Sequence, residues 1–184
     1  MPLTFLLGGA RSGKSALAVR LASDWEGPVT FLATAEARDD GELAARIARH
    51  RLERPRRWRT IEEPLDLVGE LGRVPEPVFL VVDCLTLWLG NLMGADHDVN
   101  AAIGELLAVL ARPAGPVVLV SNEVGFGIVP ATPLGRTFRD HAGRLNQAVA
   151  ANAERVVLVA AGLPLILKDT APVKVSASVK DPAP

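Results

Sequence analysis

Eight residues near the start of the chain have the types and spacing of a phosphate-binding loop (P-loop). Their sequence, which fits the pattern G-x-x-x-x-G-K-S, is Gly8-Gly9-Ala10-Arg11-Ser12-Gly13-Lys14-Ser15. An apolar run of strand length precedes them and a helical segment follows, which is the context that distinguishes this loop from a chance glycine-rich turn. Gly8 and Gly13 let backbone N–H groups surround an anion, and the helix adds the positive end of its dipole. Lys14 is therefore expected to reach the β- and γ-phosphates of a nucleotide, and the Ser15 hydroxyl to hold Mg²⁺.

A second candidate for holding Mg²⁺ is Asp83, which follows the apolar run Val78–Val82. This is a Walker B-type pattern, in which a buried strand brings a carboxylate to the edge of the sheet to bind the metal or its waters. Apolar strands that end in aspartate are common, so the interpretation depends on the P-loop upstream. Together the two motifs predict a site for a nucleotide with Mg²⁺.

A third candidate is a histidine surrounded by arginines. Seven arginines lie within residues 46–59, and the histidine among them is His50. One interpretation is a solvated basic face with an incidental surface histidine. The other is nucleophilic catalysis, because nearby positive charge keeps an imidazole neutral and able to attack an α-phosphate, forming a covalent nucleotidyl-histidine. The other two histidines are weaker candidates: His97 is expected at the surface, and His141 is expected to pack within a long helix.

Strands that alternate with helices predict an α/β fold with a doubly wound, mostly parallel sheet and helices on both faces. The predicted strands are Leu3–Leu7, Val29–Thr34, Trp58–Ile61, Val78–Asp83, Val117–Ser121, Val156–Ala160 and Leu163–Lys168. The predicted helices are Ala16–Ala22, Glu42–Arg51, Pro64–Leu71, Leu85–Met93, Asn100–Leu110 and Pro133–Asn152. The short turn Ala161-Gly162 favours an antiparallel C-terminal strand. Because ligands bind beyond the carboxyl ends of parallel strands, Thr34–Glu36 is expected beside the P-loop.

Size and composition limit the class of protein. The 184 residues suffice for one domain, expected over residues 1–168, and the aperiodic sequence of residues 169–184 predicts a flexible tail. Cys84 is the only cysteine, which excludes a disulfide framework and a cysteine zinc site. No charge-free run approaches the ~20 residues of a membrane span, and a basic signal-peptide leader is absent, so a cytoplasmic protein is expected. The net charge of -1 gives no general attraction to nucleic acid.

Taken together, these motifs resemble the bifunctional adenosylcobinamide kinase / adenosylcobinamide-phosphate guanylyltransferase family of cobalamin biosynthesis. The resemblance covers residues 1–168 in the same order. Besides the P-loop, the segments that carry it are Ala33-Thr34-Ala35-Glu36 with Asp39-Asp40, Ala44-Ala45-Arg46-Ile47 before His50, Arg54-Pro55 with Trp58 and Thr60, Asp83-Cys84-Leu85-Thr86, Asn122-Glu123-Val124-Gly125 with Gly127-Ile128-Val129-Pro130, and Phe138-Arg139-Asp140 with Gly143-Arg144-Leu145-Asn146-Gln147.

The resemblance implies two activities, a RecA-like P-loop fold and a homotrimer. The first activity phosphorylates the aminopropanol hydroxyl of adenosylcobinamide with ATP or GTP. The second transfers GMP from GTP to that phosphate, which gives adenosylcobinamide-GDP and pyrophosphate. In the family the guanylyl group passes through a histidine, and the matching position here is His50.

The resemblance also implies which residues surround the nucleotide. In addition to the P-loop they are Thr34, Ala35, Glu36, Arg51, Leu52, Glu53, Arg54, Glu62 and Asp83. We hypothesise that Glu62 recognises guanine, since a carboxylate accepts from both the N1–H and the N2–H of that base. Asn122, Glu123 and Arg139 are expected near the corrinoid or the waters of the metal, and the sequence does not choose between these positions.

Two other functions fit part of the sequence. A P-loop small-molecule kinase would use the arginines around His50 to close over phosphate without any covalent step. A RecA-like ATPase would use them to bind nucleic acid, but Trp58 is the only aromatic residue within residues 46–59, so a stacking platform for bases is missing.

Overall fold

Strands and helices alternate along most of the chain, as the sequence predicts. The computed structural model describes residues 3–35, 51, 54–75, 77–111 and 115–170. Within these ranges the strands are β1 (Leu3–Gly8), β2 (Val29–Ala33), β3 (Arg59–Glu62), β4 (Phe79–Asp83), β5 (Val117–Asn122), β6 (Arg155–Ala160) and β7 (Leu163–Asp169). The helices are α1 (Lys14–Ser23), α2 (Leu67–Arg73), α3 (Leu85–Gly94), α4 (Val99–Leu110) and α5 (Pro133–Asn152).

All of these strands belong to one sheet, in the order β3-β2-β4-β5-β1-β6-β7. The strand that leads into the P-loop, β1, lies between β5 and β6 and pairs with both in parallel. The pairs β2–β3, β2–β4 and β4–β5 are also parallel. The last strand, β7, runs antiparallel to β6 across the turn Ala161-Gly162, which confirms the prediction for the C-terminal strand. The carboxyl ends of β1 to β6 therefore meet at the edge where the P-loop begins.

Helices cover both faces of the sheet because the central strands are apolar at nearly every position. On one face, residues such as Phe5 and Leu119 pack with the apolar sides of α2 to α5. On the other face, Leu6, Phe31 and Val81 pack with α1. In the described part of the chain, every helix is too short or too polar to span a bilayer.

Most element ends differ from the sequence prediction by one or two residues, and two of the differences have a clear physical reason. The second helix begins at Leu67 rather than at Pro64, because the Asp66 carboxylate accepts from the Gly69 N–H at 3.0 Å and caps the helix there. At the other end of the chain, β7 continues through Asp169, and the Thr170 N–H donates to the Glu154 carbonyl at 2.8 Å. The flexible tail stays a prediction, since residues 171–184 lie outside the described ranges, as does the predicted helix Glu42–Arg51 apart from its last residue.

Candidate nucleotide-binding site

The P-loop connects the end of β1 to the start of α1. Gly13 caps α1 with a left-handed backbone (φ 100°), and its carbonyl accepts the first helical hydrogen bond from Leu17 at 3.0 Å. Arg11 also has a positive φ, of 56°. Gly9, Ala10 and Arg11 are exposed, so the crest of the loop is open to a ligand. The helix dipole and the loop N–H groups then act on the same anion.

The ammonium group of Lys14 is buried within this loop. Its Nζ donates to the carbonyl oxygens of Gly8 at 2.8 Å and Gly9 at 2.7 Å, and to Ser12 Oγ at 3.4 Å. These contacts hold one full positive charge under the crest, where phosphate oxygens would compete with neutral carbonyls for the same donors. Because a charged hydrogen bond to phosphate is stronger than one to a carbonyl, the geometry favours capture of a polyphosphate.

Gly8 and Gly13, the two glycines that the P-loop pattern requires, pack against the β6–β7 hairpin. A Cβ at Gly8 would overlap the Val159 carbonyl oxygen, and one at Gly13 would lie 3.3 Å from Gly162 Cα. The Gly162 N–H also donates to the Ser12 carbonyl at 2.9 Å. The hairpin turn thus supports the loop from below, a contact that the sequence motif gives no sign of.

Asp83 lies partly buried at the end of β4, where it pairs with Ala33 of β2. The peptide bond to the next residue, Cys84, is cis. The Thr34 hydroxyl donates to the Cys84 carbonyl at 2.7 Å and accepts from its N–H at 2.9 Å. Thr34 therefore lies next to Asp83 and Cys84 at the carboxyl edge of the sheet, where its side chain joins β2 to β4. Because β4 and β5 lie between β2 and β1, its expected position beside the P-loop stays a prediction. Ala35 follows Thr34 at the same edge, partly buried.

The neighbourhood of Asp83 also sets the charge of Cys84. Burial, and then the negative charge of Asp83, raise the pKa of the Cys84 thiol to about 11. The thiol is consequently neutral at physiological pH and is a packing group, because the thiolate is the nucleophilic form.

The oxygen donors predicted for Mg²⁺ suit that ion. Ser15 opens α1 and Asp83 ends β4, with β5 lying between β4 and β1 in the sheet. In the described ranges, no group of three or more His, Cys, Asp and Glu side chains is arranged to hold a metal ion. One hydroxyl and one carboxylate fit Mg²⁺, which takes few protein ligands and completes its shell with waters and substrate phosphates.

A second part of the predicted nucleotide site lies at the end of β3. Arg51 donates from Nε to Glu62 Oε1 at 2.7 Å and from Nη2 to Glu62 Oε2 at 2.6 Å. Together with Thr60 this pair lines an open cavity of about 420 Å³. The guanidinium of Arg54 lies over the Phe31 ring, 3.7 Å from its centroid. Glu36, His50, Leu52 and Glu53 lie outside the described residues.

The sequence analysis assigned no structural role to two buried polar side chains of α3, which join this helix to the residues that follow β2 and β3 and to the end of β5. Thr86 Oγ1 accepts from the Asn122 N–H at 2.6 Å and lies 3.2 Å from Ser121 Oγ. Asn91 Nδ2 donates to the carbonyls of Thr34 at 2.9 Å and Pro64 at 3.0 Å. The available signal was that Thr86 and Asn91 interrupt the otherwise apolar helix α3.

The remaining sequence candidates lie at the end of β5, on α5 and between α3 and α4. Asn122 ends β5, and its carbonyl accepts from Asn146 Nδ2 at 3.2 Å. The Glu123 N–H donates to the Gly8 carbonyl at 3.0 Å, so this residue is next to the P-loop. Arg139 pairs with Asp140 at 3.3 Å. His97 is exposed and His141 is partly buried on α5, as predicted for both.

Comparison with known proteins adds independent information. The model of the family cobinamide kinase / cobinamide phosphate guanyltransferase matches residues 4–167. The bifunctional adenosylcobalamin biosynthesis protein CobP of Pseudomonas aeruginosa is 51% identical over 167 residues, which cover 89% of this chain and 95% of that protein. The bifunctional adenosylcobalamin biosynthesis protein CobU of Escherichia coli is 42% identical over 183 residues, which cover 90% of this chain and 99% of that protein.

Solved structures with a similar fold are distant in sequence. The flagellar accessory protein FlaH from Methanocaldococcus jannaschii has a TM-score of 0.54 at 12% identity, covering 91% of this chain and 78% of that one. The RadB recombinase has a TM-score of 0.50 at 17% identity, covering 85% of this chain and 73% of that one. These likenesses show the fold alone, and they confirm the expected RecA-like P-loop fold.

Proposed function

Since the chain belongs to the cobinamide kinase / cobinamide phosphate guanyltransferase family, we propose that it phosphorylates adenosylcobinamide with ATP or GTP and then guanylylates the product. The second step takes GMP from GTP and gives adenosylcobinamide-GDP and pyrophosphate. The observation that carries the proposal is the P-loop, with Lys14 buried beneath an exposed crest, in a chain matched by the family over residues 4–167.

In the kinase step the P-loop holds the triphosphate and the acceptor hydroxyl attacks the γ-phosphorus. The new O–P bond forms as the hydroxyl loses its proton, the bond from the γ-phosphorus to the bridging oxygen breaks, and the nucleoside diphosphate leaves. Lys14 exchanges its carbonyl partners for phosphate oxygens and offsets the charge that develops on them. Ser15 and Asp83 would hold Mg²⁺, which when bound neutralises charge on the phosphates. The backbone N–H groups of residues 9–15 orient the donor for in-line transfer.

In the guanylyl step we assign the nucleophile to His50. The neutral imidazole nitrogen attacks the α-phosphorus of GTP, an N–P bond forms, and the bond to pyrophosphate breaks. The terminal phosphate of adenosylcobinamide phosphate then attacks the same phosphorus, the N–P bond breaks, and the imidazole is regenerated. We assign to the next residue in the sequence, Arg51, the role of offsetting phosphate charge in this step.

Recognition of guanine is assigned to Glu62, which lines the cavity with Arg51 and Thr60. Both carboxylate oxygens accept from Arg51, so a guanine base would take over these acceptors and release the guanidinium toward phosphate. Glu62→Gln should reduce the preference for GTP over ATP in guanylylation. An unchanged preference would remove Glu62 from this role.

We further propose that the protein acts as a homotrimer in the cytoplasm, where nucleoside triphosphates are supplied.

The near-neutral net charge of -1 suits a small-molecule enzyme rather than a protein that binds nucleic acid. The signal of an oligonucleotide-binding assay should not change across a salt series, which would support a small-molecule enzyme over a protein that binds nucleic acid.

The deciding experiment is incubation with GTP labelled at the α-phosphate. The wild-type protein should retain an acid-labile, alkali-stable label, as a phosphoramidate does, and His50→Ala should retain none. Lys14→Ala should abolish both labelling and cobinamide phosphorylation if one P-loop serves both reactions. A wild-type protein that phosphorylates cobinamide but takes up no label would be a P-loop kinase without the covalent step.

A further inference from the structure

The segment between β5 and α5, residues 123–132, presents large apolar side chains to solvent. Phe126 is 83% exposed, Ile128 96% and Val129 60%, and Leu134 at the start of α5 is 69% exposed. We call these four side chains the apolar patch. Exposed apolar residues are ordinary when single, but several on one short segment indicate a binding surface.

Hydrogen bonds fix both ends of the segment that carries the apolar patch. At its start, the Glu123 N–H donates to the Gly8 carbonyl. The next residue, Val124, packs against the core on the face of the sheet that α2 to α5 cover. At the end of the segment, Arg136 Nη1 donates to the carbonyls of Pro130 at 3.0 Å and Ala131 at 2.9 Å. These contacts fix where the segment leaves β5 and where it enters α5, and Phe126, Ile128 and Val129 are exposed between them.

The position of the patch links it to the phosphate loop. Gly8 and Asn122 are register partners at the ends of β1 and β5. The Gly8 carbonyl accepts from both Lys14 Nζ and the Glu123 N–H, so one oxygen joins the phosphate-binding lysine to the first residue of this segment. A ligand lying on the patch would border the triphosphate at the carboxyl edge of the sheet.

The chemistry of the segment fits a large apolar ligand rather than an anion. Its ionisable side chain is Glu123, whose Oε1 accepts from the Gly125 N–H at 2.5 Å. Phe126 and Ile128 offer ring and aliphatic surface, and the intervening Gly127 leaves room for a broad face to approach. The acceptor in the proposed function is such a molecule, with a wide macrocycle that carries methyl groups and uncharged amides.

We propose that the apolar patch binds the corrin macrocycle of adenosylcobinamide and holds its aminopropanol arm over the P-loop. This inference rests on the proposed function. Phe126 and Ile128 provide most of the contact, and the Glu123–Gly8 hydrogen bond fixes the distance between the macrocycle and the phosphates. The patch accordingly selects the acceptor, whereas the P-loop selects the donor.

The test compares Phe126→Ser and Ile128→Asn with the conservative variant Ile128→Leu. Steady-state phosphorylation of adenosylcobinamide gives KM for the acceptor and for the nucleotide, and α-labelled GTP without acceptor gives the yield of guanylyl-enzyme. The polar variants should raise the acceptor KM at least about tenfold, since each removes a buried apolar contact. Ile128→Leu should keep the wild-type acceptor KM, and the nucleotide KM and the guanylyl-enzyme yield should stay at the wild-type level in all three variants.

The outcomes separate this inference from the proposed function. If the wild-type protein makes no cobinamide phosphate and equilibrium dialysis detects no bound cobinamide, both fail. If the wild-type protein is active and the polar variants keep its acceptor KM, the patch inference alone is overturned. If the variants lose oligomeric mass together with acceptor binding, and cobinamide does not protect the patch from proteolysis, the patch is a contact between copies and the inference is again overturned.

Discussion

Gly8 determines the geometry of the P-loop because it has no side chain. A Cβ there would overlap the Val159 carbonyl oxygen, which is backbone and cannot move aside alone, and would lie 2.7 Å from Ser12 Oγ. The same residue supplies the carbonyl that holds Lys14 Nζ. A shift of Gly8 would therefore move the lysine, the loop and the β6–β7 hairpin together.

The first prediction concerns Gly8→Ala, which should weaken nucleotide binding by about five- to 150-fold, as expected from 1–3 kcal/mol of backbone strain. The measurement is GTP affinity by titration calorimetry. Gly104→Ala is the matched control, because that glycine lies in α4 and a Cβ there meets nothing within 4 Å. Equal affinities for the two variants would show that the hairpin does not support the loop.

A second residue-scale prediction follows from Cys84, whose pKa is raised to about 11 by burial and by Asp83. Since the unfolded thiol ionises first, the stabilisation is complete below pH 9 and is lost as pH rises toward 11, at about 1.4 kcal/mol per pH unit. Urea unfolding of the wild type and Cys84→Ala between pH 8 and pH 10.5 checks this. The stability difference between them should shrink as pH rises, and a constant difference would contradict the pKa.

At the scale of elements, the sequence predicts the hairpin β6–β7 but not its contact with the P-loop. The P-loop was predictable because its residues lie within one short motif, and the Gly8 and Gly9 carbonyls that accept from Lys14 belong to the same motif. The contact from Gly162 to Ser12 joins residues 150 positions apart, and no local pattern encodes it. The start of α2 was missed for the opposite reason, since Pro64 is a strong local signal that the Asp66 cap overrides.

The turn of this hairpin carries the third prediction. Ala161 and Gly162 have φ values of 51° and 79°, the two positive values of a type I′ turn. Alanine is strained there and asparagine is well tolerated, so Ala161→Asn should add about 0.5–1 kcal/mol to the free energy of unfolding. Thermal unfolding should show a rise in Tm of about 2 °C.

The control for the turn is Ala160→Asn, one residue earlier and equally exposed but within the strand. It should leave Tm unchanged or lower it slightly, because asparagine is depleted from strands. A rise of the same size in both variants would mean that the gain is unrelated to the turn.

At the scale of the whole molecule, the fold class was predictable from the apolar strands and amphipathic helices, each of which is a local pattern. The order of the strands was not, because it depends on which strands pair across the sheet. That order matters for function, since it places β1 between β5 and β6 and so puts both the apolar patch and the hairpin beside the P-loop. It also leaves β7 at an edge of the sheet, with Leu163, Leu165, Ile166 and Leu167 all more than half exposed.

The last prediction is that this edge, and not the apolar patch, joins the copies of the proposed homotrimer. An apolar edge strand in a folded protein pairs readily with another chain, and a charge placed on it prevents pairing. Light scattering after gel filtration should give three times the 19.5 kDa of one chain for the wild type and for Phe126→Ser, and a lower mass for Leu165→Lys. A wild-type mass of one chain would refute the trimer. If Leu165→Lys keeps the full mass while Phe126→Ser loses it, the copies meet at the apolar patch and not at the edge strand β7.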